Sequence, residues 1–475
     1  MASSSEEKGS DLNSQDNESV SVYERPKGLR GVYYHPLTQI IMLGFVCFLC
    51  PGMFNALTGL GGGGQVDATT SANANSALYS VYAVSAFFSG TVCNKIGAKL
   101  TLFFGTLGYA LYVSSYLAIN IHPGAGWFVI TSGALLGVTA GLLWTAEGSM
   151  MLSYCTEAQK GTYISIFWGI FNVGAVVGSS VSLGQNFHST TNGVGNGTYV
   201  GILVLTLVGV TMPMLMADPN KVIRTDGTRV VMPRHPSWKS EFHGLWVAIF
   251  TDPTILLLFP LFCASAYFYT WQFNDYNAAL FDIRARSLNN LVHWLSQIVG
   301  SVMLGFVLDT TWLRRRKRAF AGWTILLVIT FIVHIWAYYY QRTYTRASVP
   351  VLKMDIYDPR YPAHVWLMIF YGLLDAMWHV MCFWLIGAMS NDVNKLAIYS
   401  GFFHSVQAGG SAIGWRLDAL KFPYMTIFIS TWCLVAAGLV FSFPMIYLRV
   451  RDTTVIQDEG LIIRDQEVNN MKVKG

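Results

Sequence analysis

The chain has 475 residues, of which 53 % are hydrophobic and only 12 % charged, and its mean hydropathy is +0.42. Soluble domains carry roughly a quarter charged residues, so a soluble globular protein is excluded. The formal net charge of +5 is no argument for nucleic acid either, because the charges sit in the gaps between long apolar runs.

Residues 1–36 are rich in Ser, Glu and Asn and hold no apolar h-region, which predicts a disordered tail rather than a cleavable signal peptide. A hydrocarbon core about 30 Å thick takes about 20 apolar residues per helix. Twelve segments meet that length, near 37–57, 76–95, 100–120, 126–148, 161–184, 198–217, 254–273, 288–308, 319–341, 364–389, 395–415 and 424–448. The polar run 218–253 divides them six and six. The expected organisation is therefore a tail (1–36), a six-helix bundle (37–217), a linker (218–253), a second six-helix bundle (254–448) and a tail (449–475). Counted over alternate gaps, 23 of the 31 Lys and Arg fall on the face that carries both termini and 8 on the other. By the positive-inside rule both termini are expected in the cytoplasm.

The first span contains Cys47 and Cys50, one helical turn of small residues, with no second ligand pair to suggest a metal or redox site. None of the seven cysteines lies in a loop assigned to the outer face, so no disulfide framework is expected. The outer loop that follows carries Gly61 to Gly64. A phosphate cradle would need a following helix start with a Lys, so the run is read as a flexible turn. The sequon at Asn196 lies between spans five and six, on the expected outer face, and is a glycosylation candidate; the sequon at Asn17 lies in the cytoplasmic tail.

Span two ends in Gly90-Thr-Val-Cys-Asn94-Lys95-Ile-Gly97-Ala-Lys99, and span eight in Gly305-Phe-Val-Leu-Asp309, with the basic run 314–318 four residues on. Span four holds Gly141-Leu-Leu143 and span ten Gly372-Leu-Leu374. Matching features at matching ordinal positions are the mark of two related halves. Here the chain resembles the major facilitator superfamily, whose loop between the second and third helices reads Gly-x-x-x-Asp-Arg-x-Gly-Arg-Arg. Asn94 stands where the family has Asp, Lys95 and Lys99 stand for Arg, and Ala98 replaces a basic residue. In the family that Asp helps lock a gate; the resemblance makes Gly90, Asn94, Lys95, Gly97, Lys99, Gly305 and Asp309 gate candidates, with Asn94 unable to supply the charge. Residues 314–318 also read simply as a positive anchor.

Two further stretches, Leu43 to Gly64 and Gly137-Val-Thr-Ala-Gly141-Leu-Leu-Trp144-Thr-Ala-Glu147-Gly148, look like the uncoordinated-93-like branch of that superfamily, its fungal members in particular. The resemblance implies two six-helix bundles around a cavity. It leaves function divided, because animal members of the branch are an accessory protein of a potassium channel and an escort of Toll-like receptors.

Ionisable and polar groups at mid-depth in a membrane are functional candidates by default. Asn172, Gln297, Asp375, His379, His404 and Gln407 fall there. Asp375 and His379, four apart, share a helix face and read as a proton-binding pair or as a polar pair joining helices. His404 and Gln407 read as cargo-lining or as interhelical glue, and Glu147, near the cytoplasmic end of span four, as water-exposed or as part of an inner gate. His293 and His334 read as isolated packing residues, and Tyr267 to Phe273 as an interfacial aromatic belt or, more sharply, a stacking surface for a ring-shaped cargo. No enzymatic motif, metal cluster, cofactor site or nucleotide-binding domain is present in the sequence. The expectation is an all-α membrane protein with twelve transmembrane helices that moves a small solute or ion by alternating access, with proton coupling as an option. The alternative is a non-transporting accessory protein acting on a membrane partner.

Overall fold

A computed structural model describes residues 23–451 apart from 25, 157–158, 231, 233–237, 311 and 390–392. The expected ends of both tails, with the sequon at Asn17, lie outside the described residues. Residues 29–33 of the expected N-terminal tail form a helical turn, α1 (Leu29–Tyr33), and the Tyr33 hydroxyl donates to Leu215 O at 2.7 Å.

Span one is two helices, α2 (Pro36–Leu49) and α3 (Pro51–Gly59). Pro51 has no N–H to give and its ring clashes with the carbonyl one turn back, so the helix breaks at Cys50. The first bundle continues with α4 (Thr69–Ile96), α5 (Ala98–Ile121), α6 (Gly126–Tyr154), α7 (Lys160–Asn186) and α8 (Asn196–Leu215). Inside the expected linker lie an isolated antiparallel bridge between Ile223 and Arg229 and a helix, α9 (Trp238–Thr251).

Span seven has three windings in succession. It starts as a 3₁₀ turn, Pro253–Leu258, becomes α10 (Phe259–Tyr267), and ends as a π-helix, Thr270–Ala278. π stretches of this length are rare and collect at functional sites. The second bundle is completed by α11 (Ile283–Asp309), α12 (Arg315–Gln341), α13 (Tyr361–Met389), α14 (Val393–Ala419) and α15 (Tyr424–Arg449). Eleven of the twelve spans are long and apolar enough to cross a bilayer among the described residues; the remaining one, α14, runs for 27 residues.

Within the first bundle α6 packs on α4 and α5, and α7 on α2 and α3; within the second, α11 packs on α13, and α10 on α14 and α15. The bundles meet through α4 with α14 and through α7 with α11. The tightest packing that positions the polar centre is α11 on α13. A Cβ on Gly372 would lie 2.3 Å from His293 O, and one on Gly300 would lie 2.5 Å from Leu373 O. The two backbones therefore touch, as small residues allow between membrane helices.

The basic run after α11 does more than anchor. Arg318 donates to Leu308 O, Arg315 to Gly387 O and Arg316 to Tyr447 O, at 2.8, 3.0 and 2.8 Å. Three helix C-termini, of α11, α13 and α15, thus have terminal carbonyls capped by arginine.

Candidate functional site

The aromatic stretch on span seven is not an interfacial belt. Tyr267, Phe268, Trp271 and Phe273 are all buried, because the helix continues past the expected end at 273 and carries Gln272, Asn274, Asp275 and Asn277 into the protein. Polar residues that resemble a loop in sequence are here wound into a π-helix and find partners across the interface.

At mid-depth Asp375 and His293 are both 0 % exposed, with Asp375 Oδ2 and His293 Nε2 3.4 Å apart. The close contact at Gly372 makes this possible, since one turn separates Gly372 from Asp375 on α13. Gln272 Nε2 donates to Asp375 Oδ1 at 3.0 Å. The same His293 Nε2 faces the Gln297 Nε2 donor at 3.1 Å and accepts from it, Gln297 Nε2 also reaches the Tyr269 hydroxyl at 3.5 Å, and Asp375 Oδ2 takes part in no hydrogen bond among the described residues. The expected carboxylate–imidazole contact between Asp375 and His379 does not occur: His379 Nδ1 lies 2.8 Å from the backbone carbonyl of Asp375. Its other ring nitrogen meets Gln407 at 3.1 Å, tying α13 to α14. On a regular helix the side chain at i+4 sits over the carbonyl of i, and the Asp375 carboxylate is turned to α11 instead. His293, expected to be an isolated packing residue, is the acid's partner.

Of the other mid-depth candidates, His404 is half-buried against Phe383 and Phe403. Asn172 is exposed on α7 and does not join the cluster, so the network is built by the second bundle. Glu147 is half-buried on α6, beside Cys47 of α2. His334 packs against Tyr371, Phe428 and Trp432, in keeping with a packing role.

A second constellation joins the bundles at the end that carries Gly61 to Gly64. The glycine run is buried and ordered by contacts rather than a free turn. All four residues have positive φ, 72, 55, 61 and 83°, a region open to glycine but strained for L side chains, and a Cβ on Gly61 would lie 2.0 Å from Phe273 O. The loop turns its carbonyls toward Arg286 on the first turn of α11. The guanidinium, 1 % exposed, donates to Leu60 O at 2.8 Å, Asn192 O at 2.7 Å, Gln65 O at 3.3 Å and Gly61 O. Around it, Gly62 N donates to Asn274 Oδ1 (2.7 Å), Asn277 to Gly59 O (3.0 Å) and Asn290 to Ala56 O (2.6 Å). Ser182 meets Ser287 at 3.0 Å, and Arg416 donates to Asn73 at 2.7 Å. These bonds form an interbundle latch at one end of the molecule. Of its members only the Gly61–Gly64 run stood out in the sequence, and it read as a flexible turn; the partners on the second bundle did not, although fourteen residues from 274 to 287 with neither Gly nor Pro are an unusual loop composition.

At the opposite end of α4, Asn94, Gly97 and Lys99 line a cavity of about 420 Å³ together with Asp218 and Asn220. Gly97 turns the chain at φ 83°, and Lys99 Nζ donates to Met216 O at 2.6 Å. Gly90 is buried on α4, Lys95 exposed at its end, Gly305 half-buried and Asp309 exposed at the end of α11. The gate candidates of the two halves thus sit at corresponding helix ends. Asn196 begins α8 with its side chain exposed and accepts from Asn120 at 2.7 Å.

A family model described as "Ion channel regulatory protein UNC-93" matches residues 63–442. The chain is 45 % identical over 450 residues to an UNC93-like protein of Schizosaccharomyces pombe, covering 93 % of this chain and 89 % of that one. It is 40 % identical over 418 residues to UNC93-like protein 1 of Arabidopsis thaliana, covering 87 % and 90 %. Among solved structures, a partially occluded, inward-open form of the xylose transporter XylE from E. coli superposes with a TM-score of 0.61 at 12 % identity, over 90 % of this chain and 100 % of that one. That likeness carries the fold alone. With its twelve spans in two bundles, the chain is a multi-pass membrane protein of the major facilitator fold, and it belongs to the UNC-93 family.

Proposed function

We propose that this protein is a proton-coupled secondary transporter of a small solute, working by alternating access of its two bundles. The observation that carries the reading is the fully buried Asp375–His293 pair. An ionisable pair at the centre of a membrane bundle is costly unless it does something. Asp375 Oδ2 makes no hydrogen bond among the described residues and lies 3.4 Å from His293 Nε2; a proton bound there neutralises the buried acid, and its departure leaves a carboxylate that only Gln272 hydrogen-bonds, beside His293. The contacts through Gln297 to Tyr269, and through His379 to Gln407, connect this event to half-buried side chains. His404 and Asn172 then serve as cargo-facing candidates, and Glu147 as an inner-gate candidate. The positive-inside count supports cytoplasmic termini; in that orientation the latch is extracellular and the gate candidates around Asn94 and Asp309 lie at the cytoplasmic end.

Uptake of a metabolite and ion panel into proteoliposomes, with and without an imposed pH gradient, tests this. Gradient-driven movement of some solute is expected, with about a hundredfold or greater loss in Asp375→Asn and His293→Gln. Gradient-independent movement, unchanged in both variants, would overturn the coupling. The description of the family as ion channel regulatory favours a second reading, an accessory protein that keeps the fold. A folded protein that moves nothing, and that alters the current of a co-purified channel, would select it.

A further inference from the structure

Next to the latch lies a second buried acid site, apart from Asp375 and His293. Asp275 on the π-helix and Asp418 near the end of α14 are 0 % and 3 % exposed. Both carboxylates reach one guanidinium nitrogen: Arg346 Nη2 lies 2.5 Å from Asp418 Oδ1 and 3.5 Å from Asp275 Oδ1. Asn274 Nδ2 donates to Asp418 Oδ2 at 2.7 Å, so both oxygens of Asp418 are occupied as acceptors. Neither carboxylate oxygen of Asp275 takes part in a hydrogen bond among the described residues. Two carboxylates face one guanidinium, and the site therefore carries one negative charge in excess. Like charges that share one buried site do not both ionise readily, and one proton relieves both the repulsion and the burial. The donors on the page place it on Asp275, since Asp418 must stay an acceptor for Asn274 and Arg346. A metal ion fits poorly, because Arg346 already brings a positive charge to both acids.

The same Asn274 amide that donates to Asp418 accepts from Gly62 N across the bundle interface. We propose that Asp275 and Asp418 hold a single proton between them at the latched end and that this proton closes the latch through Asn274. Loss of the proton sets two anions in competition for Arg346. Arg346 and Asp418 shift, the Asn274 amide loses its fixed acceptor, and its bond to Gly62 loosens. The other groups facing the pair have partners of their own. The Tyr344 hydroxyl donates to Asp275 O, the Tyr424 ring packs on Arg346, Arg416 is engaged with Asn73, and the Asp67 carboxylate accepts from Thr69 N. Exit to solvent runs along Arg346, whose side chain is 26 % exposed. The inference rests on alternating access at this latch but not on proton coupling at Asp375.

Distance measurement between spin labels on the full-length protein in nanodiscs tests it, with Gly124→Cys and Leu352→Cys on the exposed latched-end loops of the two bundles and exposed Cys433 replaced by Ser. One linked proton changes the ratio of separated to latched molecules by up to about tenfold per pH unit, so raising the pH from 5 to 8.5 should bring in a longer distance. Asp275→Asn should abolish that slope and stay latched at both pH values; Asp418→Asn, which removes Arg346's anchor, should abolish it as well. Asp375→Asn should lose transport yet keep the slope, which separates failure here from failure of the transport reading. A wild-type distance indifferent to pH, a slope that survives in Asp275→Asn, or a slope lost only in Asp375→Asn would overturn the proposal. So would exchange of potassium for sodium at fixed pH reproducing the pH effect, which would assign the site to a metal cation.

Discussion

At the scale of single residues, arginine is used here for its fork as much as for its charge. Arg286 spends its donors on four backbone carbonyls of the other bundle, and a lysine, with one compact ammonium, cannot span them. Arg286→Ala leaves those carbonyls unpaired when the latch is closed, and each charge-assisted bond is worth about 1.5–3 kcal/mol. We expect the separated population in the spin-label measurement to rise by tenfold or more in Arg286→Ala and nearly as much in Arg286→Lys. The mid-depth candidates were legible as residue types, because Asp, His and Gln inside an apolar run are visible by inspection. Their pairing was not. Asp375 and His379 share a helix and a face, whereas the true partner, His293, is 82 positions away and is delivered by a helix contact that depends on Gly372.

At the scale of elements, glycine and capping decide what each helix can do. Gly372 and Gly141 occupy the same place in the repeat, yet they should respond differently to alanine. At Gly372 the new methyl meets the His293 carbonyl at 2.3 Å, whereas at Gly141 the nearest atom is the Ser89 hydroxyl at 2.8 Å. Overpacking against backbone costs about 1–3 kcal/mol. Gly372→Ala should lower the melting temperature by several degrees and cut transport as Asp375→Asn does; Gly141→Ala should do little, because a serine rotamer can give way. Melting temperature read alongside uptake checks both. The start of α11 gives a pH dependence. Asp282 caps it, accepting from Ala285 N at 2.9 Å, but burial, with a smaller push from Asp355, raises this carboxyl to about 6. An acid raised from its unfolded value of 3.8 binds its proton more tightly in the folded chain. Its contribution to stability is thus complete below 3.8 and is lost as the pH rises to about 6. The melting temperature should therefore fall between pH 4 and 6.5, by less in Asp282→Asn. The helix count and order were readable from apolar length; the winding of span seven was not. A π segment leaves no periodic signature, and Asn274 to Asn277 fell beyond the expected span, because their partners, the Gly59 carbonyl and Asp418, lie far away in the sequence.

For the whole molecule, the division into two halves was plain in the sequence, since apolar length and the run of charges from 218 to 253 are one-dimensional properties. The latch was hidden for the opposite reason. It consists of bonds between residues such as Leu60 and Arg286 or Ala56 and Asn290, more than two hundred positions apart, with backbone on one side. Orientation is checked at this scale too. If the termini are cytoplasmic, Asn196 faces the lumen during synthesis, and the protein made in a eukaryotic host should shift in mobility on glycosidase treatment, a shift absent from Asn196→Gln. A sequon that close to the membrane can escape the transferase, so protease protection of terminal tags is the companion measurement.

The one-sidedness of the latch has a consequence for how the chain tolerates change. Where the Arg286 clasp is made of main-chain oxygens, no side chain on that side has to be preserved for it. Asn192 supplies only its carbonyl to Arg286, so most replacements there should be silent. Positions 61 to 64, which bear no side chain at all, should accept almost none. In a saturation screen the first bundle's share of the Arg286 clasp would appear as four intolerant glycines flanked by permissive neighbours, and the second bundle's share of that clasp as one intolerant arginine.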